Sequence, residues 1–119
     1  MRQSIFERCG GFATVRKIIS DFYEKVMNSP ALERHFVDVD MRALIDHQTK
    51  FVASVMGGPA SFSDDVLRRV HEPLGITRTE FLEAADLLRE TLEDYDLAPE
   101  DVAAVYKEIM KRELLIVSR

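Results

Sequence analysis

The sequence predicts an all-α fold of five or six helices in a single domain of 119 residues. Apolar residues recur at steps of three and four, which is the spacing of one face of a helix. The five glycines and four prolines mostly cluster between these periodic stretches, where they mark breaks. No stretch shows the strict alternation of apolar and polar residues that a half-buried strand requires.

The first long helix is predicted from about residue 12 to 28. Its apolar residues form one face, which comprises Phe12, Val15, Ile19, Phe22 and Val26. The sequence Asn28-Ser29-Pro30 ends this helix, because the residue before a proline disfavours the helical conformation. Residues 31–36 have room for one further turn.

The next helix is predicted to begin after Asp38-Val39-Asp40, because an aspartate side chain can accept hydrogen bonds from free amides at a helix start. It ends at Gly57-Gly58, and residues 59–64 form a loop. Its inward residues are predicted to be Met41, Leu44, His47 or Gln48, Phe51, Val52 and Val55.

A shorter helix is predicted from about Asp64 to His71, with Pro73 after its end. Thr77-Arg78-Thr79-Glu80 has the form of a capping box and opens a helix that continues to about Tyr95. The inward residues of that helix are Phe81, Ala84, Ala85, Leu88 and Leu92. Pro99 fits the first turn of the last helix, whose apolar residues are Val102, Val105, Ile109 and Leu114.

Composition argues against several classes of protein. Lys and Arg number 16 against 21 Asp and Glu, and the resulting net charge of -5 disfavours a nucleic-acid binder. The apolar stretches are too short to cross a bilayer, and no apolar signal region follows Met1. Cys9 is the single cysteine, so no internal disulfide can form, and we expect a cytoplasmic protein. We interpret Cys9 as a small apolar residue at a turn.

The three histidines, His35, His47 and His71, are candidates for chemistry because imidazole binds metals and titrates near neutral pH. The common metal patterns are missing: the sequence contains no Cys-x-x-Cys, no Glu-x-x-His and no His-Glu-x-x-His. The glycine pairs lack the context of a phosphate-binding loop. The sequence therefore gives no indication of a structural zinc site, a di-iron site or a nucleotide site.

Three polar residues, Tyr23, His47 and Gln48, are embedded in apolar helix faces. Burying such groups is costly unless they find partners. Two interpretations are open: Tyr23 and His47 bind each other or solvent at a rim, or the helices enclose a pocket for a flat apolar cofactor. In the second case one histidine would bind the metal of the cofactor, and polar groups would face its other side.

The sequence resembles the group I truncated hemoglobins, which are small globins with two-over-two helical packing. The resemblance covers nearly the whole chain and implies this fold for residues 1–119. It is carried by segments that occur in the family's order and spacing: Ile5-Phe6-Glu7-Arg8-Cys9-Gly10-Gly11, Asp21-Phe22-Tyr23-Glu24-Lys25-Val26, His35-Phe36-Val37-Asp38-Val39-Asp40-Met41, His47-Gln48-Thr49-Lys50-Phe51 through Gly57-Gly58-Pro59, and Val70-His71-Glu72-Pro73-Leu74-Gly75-Ile76-Thr77.

The resemblance implies heme b (iron protoporphyrin IX) bound between the helices. His71 matches the proximal histidine that binds the iron, with its second ring nitrogen fixed by a hydrogen bond. Phe36 matches the phenylalanine that packs on the porphyrin. Tyr23 matches the distal tyrosine that donates a hydrogen bond to an iron-bound ligand, and Gln48 matches a second distal polar position.

His47 matches a position where some members carry a histidine that binds the iron from the distal side. Adjacent helical residues point about 100° apart, so His47 and Gln48 cannot both occupy the centre of the pocket. Two states are therefore open, a bis-histidyl heme and a pocket in which His47 points outward. Leu44 would be an apolar gate in either state, and we interpret His35 as a surface or heme-edge residue.

Further heme contacts follow from the family layout. Lys50, Arg68 and Arg69 would lie near enough to pair with the heme propionates, although each could equally be a solvated charge. The apolar wall of the heme site would comprise Phe51, Val52, Met56, Val70, Ile76, Phe81 and Leu88.

The resemblance implies reversible binding of O2, NO and CO, with oxygen transport or NO detoxification as roles. An NO dioxygenase activity would need an external electron donor, whose reductase the sequence does not identify. The alternative is a bis-histidyl heme protein for electron transfer or redox sensing through a partner protein. A heme-free helical interaction module is a third hypothesis, and we expect a monomer or a weak homodimer that binds neither nucleic acid nor membrane.

Overall fold

The computed structural model describes residues 3–59, 75–113 and 117. These residues contain six α-helices and no strand, which confirms the all-α prediction. The helices are α1 (Ile5–Cys9), α2 (Phe12–Met27), α3 (Pro30–Glu33), α4 (Met41–Val55), α5 (Arg78–Asp94) and α6 (Pro99–Met110), and a 3-10 turn covers Arg34–Phe36. The predicted helix at 64–71 and the predicted apolar residue Leu114 lie outside the described residues.

The predicted helix starts and stops are confirmed where the structure describes them. The Asp40 side chain accepts a hydrogen bond from the Ala43 amide at the start of α4. Thr77 and Glu80 form the reciprocal capping box of α5. Pro99 occupies the first turn of α6. These local signals need only a few neighbouring residues, and the sequence therefore reveals them.

The short helix α1 was not predicted, because five residues are too few to show a helical period. Ser4 and Glu7 form a capping box at its start. Gly10 follows with a φ of 119°, a conformation that a side chain disfavours, and this lets the chain turn into α2. Cys9 ends α1 half-buried, and its thiol donates to the Phe6 carbonyl oxygen. Burial raises the pKa of Cys9, as expected of a small apolar residue.

Helix α2 is the centre of the fold, because it packs against both α4 and α5. Val15, Ile19 and Val26 are buried as predicted, but Phe12 is 41% exposed and is a correction to the predicted face. Phe12 begins the helix, where it packs edge-on against the Phe6 ring at a centroid distance of 4.8 Å. Because both α4 and α5 pack against α2, its buried side is wider than a single apolar stripe. It therefore also includes Ile18 and Tyr23.

The longer helices form two layers. Helices α2 and α4 pack together in one layer, α5 and α6 pack together in the other, and α2 on α5 and α4 on α6 join them. The core residues between the layers include Ile18, Ile19, Val52, Leu92 and Val105. This arrangement leaves room for a cleft between α2, α4 and α5. None of the helices in the described ranges is long and apolar enough to cross a membrane.

Charged and polar side chains join neighbouring helices at the surface, both between the layers and within one layer. Lys25 on α2 pairs with Asp94 on α5 at 2.7 Å, and the Tyr95 hydroxyl donates to Asp21 at 2.6 Å. Arg16 on α2 pairs with Asp46 on α4. Each exposed pair contributes little stability, so burial of the apolar faces remains the main stabilising contribution.

Candidate functional site

A cleft of about 840 Å³, part of which opens to solvent, lies between the two helical layers. Its wall is mostly apolar and draws on α2, α4, α5 and α6. The predicted heme contacts that line it are Tyr23, Phe36, Leu44, Gln48, Phe51, Val52, Ile76, Phe81 and Leu88. An apolar cleft with few polar groups is the usual form of a cofactor site.

Tyr23 and Gln48 form a hydrogen-bonded pair inside this cleft. Tyr23 is only 6% exposed. Its burial raises the pKa of the Tyr23 hydroxyl well above the ordinary value of 10.0, and the hydrogen bond with Gln48 acts in the opposite direction. The hydroxyl therefore keeps its proton and remains a hydrogen-bond donor.

Phe36 presents a flat aromatic surface beside this pair. It ends the 3-10 turn between α3 and α4, where its ring meets Tyr23 edge-on at a centroid distance of 5.8 Å. Phe22 also meets the Tyr23 ring edge-on, at a centroid distance of 4.8 Å. The aromatic rings hold the Tyr23 side chain in one orientation, which a directional hydrogen-bond donor requires.

Helix α4 directs Gln48 into the cleft and His47 away from it. Leu44, Gln48, Phe51 and Val52 follow the helical period and line the cleft, whereas His47 is exposed and absent from the lining. The two neighbours diverge because consecutive side chains on a helix point about 100° apart. In this conformation Gln48 is the residue of α4 that can face a ligand together with Tyr23.

The remaining predicted heme contacts either lie outside the described residues or do not line the cleft. His71, Arg68, Arg69 and Val70 lie outside the described residues. Lys50 is exposed and does not line the cleft. Met56 is buried in the core, where its carbonyl oxygen accepts a hydrogen bond from the Phe6 amide, and it does not line the cleft either.

A second polar pair in the cleft wall, His35 and Glu80, was not predicted. The His35 Nε2 and Glu80 Oε2 atoms are 2.9 Å apart, and the two side chains are 11% and 6% exposed. His35 thus lies at the edge of the cleft rather than on the free surface. The capping box identified Glu80 only as a helix-capping residue. Its partner His35 lies 45 positions earlier in the chain, and no local pattern reveals such a contact.

Glu80 is held as a carboxylate by groups from three directions. Burial alone would raise the pKa of Glu80, but hydrogen bonds from the Thr77 amide, His35, Arg34 and the Thr77 hydroxyl outweigh it and lower the pKa to about 2. Thr77 donates at 2.9 Å and Arg34 at 2.6 Å. A fixed negative charge therefore sits beside His35 at neutral pH.

The described side chains offer no ready site for a bare metal ion. Within residues 3–59, 75–113 and 117, no three His, Cys, Asp or Glu side chains converge as ligands.

Comparison with known proteins identifies this architecture. The model of a family described as Bacterial-like globin matches residues 4–116. The chain belongs to the bacterial-like globins. Its curated relatives include the group 1 truncated hemoglobin GlbN of Synechocystis sp., which is 30% identical over 105 residues, 85% of this globin and 84% of the relative. The corresponding protein of Mycolicibacterium paratuberculosis is 28% identical over 86% of this globin and 75% of its own length.

Solved structures support the same assignment. The 2/2 hemoglobin of Synechococcus sp. PCC 7002, in the cyanomet state with covalently attached heme, has a TM-score of 0.89 and 27% identity, covering 98% of this globin and all of that chain. A hemoglobin from Chloroflexus aurantiacus has a TM-score of 0.82 and 25% identity, covering 99% and 100%. The fold of this globin is that of the truncated two-over-two hemoglobins, as predicted.

The cofactor of this globin is heme b, and the cleft fits it. An apolar macrocycle suits the apolar walls, and the flat ring of Phe36 suits a flat partner. The polar pair of Tyr23 and Gln48 lies in the same cleft.

Proposed function

We propose that this truncated hemoglobin binds O2, NO and CO reversibly at heme b held in the cleft. His71 is the proximal ligand in this proposal, and Tyr23 and Gln48 face the bound gas from the distal side. The observation that carries the proposal is the buried Tyr23–Gln48 pair in an otherwise apolar cleft. Two convergent polar groups in such surroundings indicate a small polar or polarisable ligand.

The environment of Tyr23 determines how strongly it acts on a ligand. Its hydroxyl is protonated and shielded from water, and the rings of Phe22 and Phe36 fix its position. A hydrogen bond in such an apolar site is stronger than the same bond in water. Donation from Tyr23 would therefore slow the release of a gas that gains negative charge on binding, as O2 does.

An NO dioxygenase activity is the enzymatic extension of this proposal. When bound, the heme would supply the ferrous iron that dioxygenation of NO to nitrate requires, and one electron from an external donor would restore that iron from the ferric state. Tyr23 and Gln48 would hold the O2 in a polarised form. An external reductase must supply the electron, and we propose that both proteins are cytoplasmic.

The bis-histidyl alternative would require His47 to enter the cleft. In the structure His47 is exposed, and Gln48 occupies the lining of α4 instead. A tightly bound distal histidine would also displace the gas ligand and reduce its apparent affinity by the fraction of open protein. The observed placement favours gas binding over an electron-transfer role.

The rate of O2 dissociation tests the role of Tyr23. Loss of one hydrogen bond costs roughly 0.5–1.5 kcal/mol, so Tyr23→Phe should release O2 about 2- to 10-fold faster in stopped-flow measurements. Tyr106→Phe is the matched control, because Tyr106 binds Asp86 at the surface and does not line the cleft. An unchanged rate in Tyr23→Phe would contradict the proposal.

A further inference from the structure

The segment between α2 and α4 is held to α5 by two carboxylates. Helix α3 and the 3-10 turn after it are only four and three residues long, and helices this short depend on tertiary contacts. At the start of the segment, Ser29 donates a hydrogen bond to Glu83. Near its end, Arg34 and His35 both contact Glu80. The two carboxylates are three positions apart and lie on one side of α5, so α5 sets the position of the segment.

His35 makes the more rigid of the two contacts with Glu80. Its Nε2 atom lies 2.9 Å from Glu80 Oε2, and the two side chains are 11% and 6% exposed. The neutral imidazole that carries its hydrogen on Nε2 satisfies this contact, so no change of charge is involved. Arg34 contacts the same oxygen but is 66% exposed, and exposed ion pairs of long side chains hold a position weakly. His35 is therefore the residue that fixes the end of the segment.

Phe36 follows His35 directly, so fixing His35 also fixes the backbone from which the Phe36 ring projects. That ring meets the Tyr23 ring edge-on at a centroid distance of 5.8 Å. The next residue, Val37, is 77% exposed and gives the Phe36 ring no such support. The contact between His35 and Glu80 thus determines how closely Phe36 confines Tyr23.

We propose that His35 is a positioning residue for the distal side of the cleft. Through its contact with Glu80, it keeps the Phe36 ring against Tyr23 and so keeps the Tyr23 hydroxyl aimed at the bound gas. His35 acts through Phe36 and does not touch the gas. The inference rests on the proposed role of Tyr23 as a hydrogen-bond donor to that gas. Because hydrogen bonds weaken steeply when the donor is misaligned, a small tilt of the Tyr23 ring is enough to change ligand release.

Stopped-flow O2 dissociation and infrared spectra of the CO complex test the proposal in the holoprotein. His35→Leu removes the donor to Glu80 and keeps a side chain at the position. O2 should dissociate faster than from the wild type, by no more than the about 2- to 10-fold expected of Tyr23→Phe. The CO band should broaden or split, because the Tyr23 hydroxyl then samples several orientations. A loss of stability alone would not alter this band.

His35→Gln tests the contact itself, because a glutamine amide can also donate a hydrogen bond to Glu80. This variant should restore the wild-type dissociation rate and the wild-type CO band. Glu33→Leu is the matched control, since it places the same leucine at an exposed position of the same segment. Its dissociation rate and CO band should equal those of the wild type. A rate and band in His35→Gln like those of His35→Leu would contradict the role of the donor.

A double-mutant cycle separates the positioning of Tyr23 from any direct effect of His35. In the Tyr23→Phe background, His35→Leu should leave the O2 dissociation rate unchanged, because no hydroxyl remains to be aimed. An effect of His35→Leu that is equal in both backgrounds would overturn the proposal.

The cycle also distinguishes failure of this inference from failure of the proposed function. If Tyr23→Phe alters the rate and the CO band but His35→Leu alters neither, the inference fails and the proposed function stands. If Tyr23→Phe releases O2 at the wild-type rate, the proposed function fails, and the inference fails with it.

The tautomer of His35 provides a test that needs no variant, should His35→Leu not fold. Nitrogen-15 NMR of the wild-type CO complex shows which ring nitrogen carries the hydrogen. A hydrogen on Nε2 supports the proposal, because Nε2 is the atom that faces Glu80. A neutral ring with its hydrogen on Nδ1 alone would leave Glu80 without this donor and would contradict the proposal.

Discussion

Glu80 is a single residue that stabilises two parts of the fold. Its carboxylate accepts the Thr77 amide, which completes the start of α5, and it also contacts Arg34 and His35 from the turn before α4. That turn ends at Phe36, whose ring meets Tyr23. The charge of one buried side chain therefore influences the wall of the heme cleft.

Glu80 should contribute a pH-dependent part of the stability. Its pKa is lowered from 4.5 to about 2 in the folded chain, so its contribution is complete above about pH 4.5 and disappears as the pH falls towards 2. Glu80→Gln should therefore destabilise the protein at pH 7 and much less at pH 3. Urea denaturation across this range measures the difference.

Glu93→Gln is the control for that experiment, because Glu93 is exposed at the surface of α5. Its substitution should leave the stability nearly unchanged at every pH. A Glu80→Gln penalty that stays constant from pH 7 to pH 3 would contradict the lowered pKa of Glu80.

Residues with local partners or helical periodicity were predictable from the sequence, and residues with distant partners were not. Thr77 and Asp40 follow capping rules that involve three or four positions. Tyr23 and Gln48 were identified because they interrupt apolar faces and match a known family. The contact between His35 and Glu80 joins segments 45 positions apart, and only the packing of α5 against the chain before α4 creates it.

At the scale of elements, the approach of α1 to the end of α4 depends on a glycine. Gly58 donates its amide to the Ala53 carbonyl oxygen at 2.8 Å. A Cβ at Gly58 would lie 2.7 Å from the Phe6 ring and 2.9 Å from that carbonyl oxygen. The backbone therefore passes too close to Phe6 for any side chain, which explains the glycine at this turn.

Gly58→Ala should destabilise the protein by roughly 1–3 kcal/mol through overpacking. Equilibrium denaturation measures this cost. Phe6→Leu reduces the ring that the new methyl group meets, so the cost of Gly58→Ala should be smaller in that background. Equal costs in both backgrounds would show that Phe6 is not the obstacle.

The periodicity of α2 predicted its length to within a residue or two, but not its full buried surface. A single apolar stripe describes a helix with one neighbour. Helix α2 packs against two long helices, α4 and α5, in addition to the short helices α1 and α3, so Ile18 and Tyr23 are buried beside the predicted stripe, whereas Phe12 at the helix start remains partly exposed. The number of neighbours is a property of the tertiary fold, which no local period contains.

At the scale of the whole molecule, the heme is expected to complete the core. The cleft between the two layers is walled mostly by apolar side chains. A heme in the cleft would bury that surface, so its binding and folding are coupled. This coupling makes the stability depend on the concentration of free heme.

Removal of the heme should lower the stability of this globin. Free hemin at about 100 times its dissociation constant should stabilise the fold by about 2.7 kcal/mol relative to the heme-free chain. Thermal unfolding at several hemin concentrations measures this effect. A melting temperature that does not respond to hemin would contradict the coupling. If His71 is the proximal ligand as proposed, His71→Ala should need more hemin to reach the same stabilisation, because the proposed bond to the iron is lost.

The stretching frequency of CO in the ferrous complex reports whether the Tyr23–Gln48 pair donates a hydrogen bond to a gas bound in the cleft. Hydrogen-bond donation to the bound CO lowers this frequency. We expect an infrared band at low frequency in the wild type and in Tyr106→Phe, and a higher frequency in Tyr23→Phe. Identical bands in the wild type and Tyr23→Phe would show that the Tyr23 hydroxyl does not reach the ligand, and would contradict the proposed distal role of Tyr23.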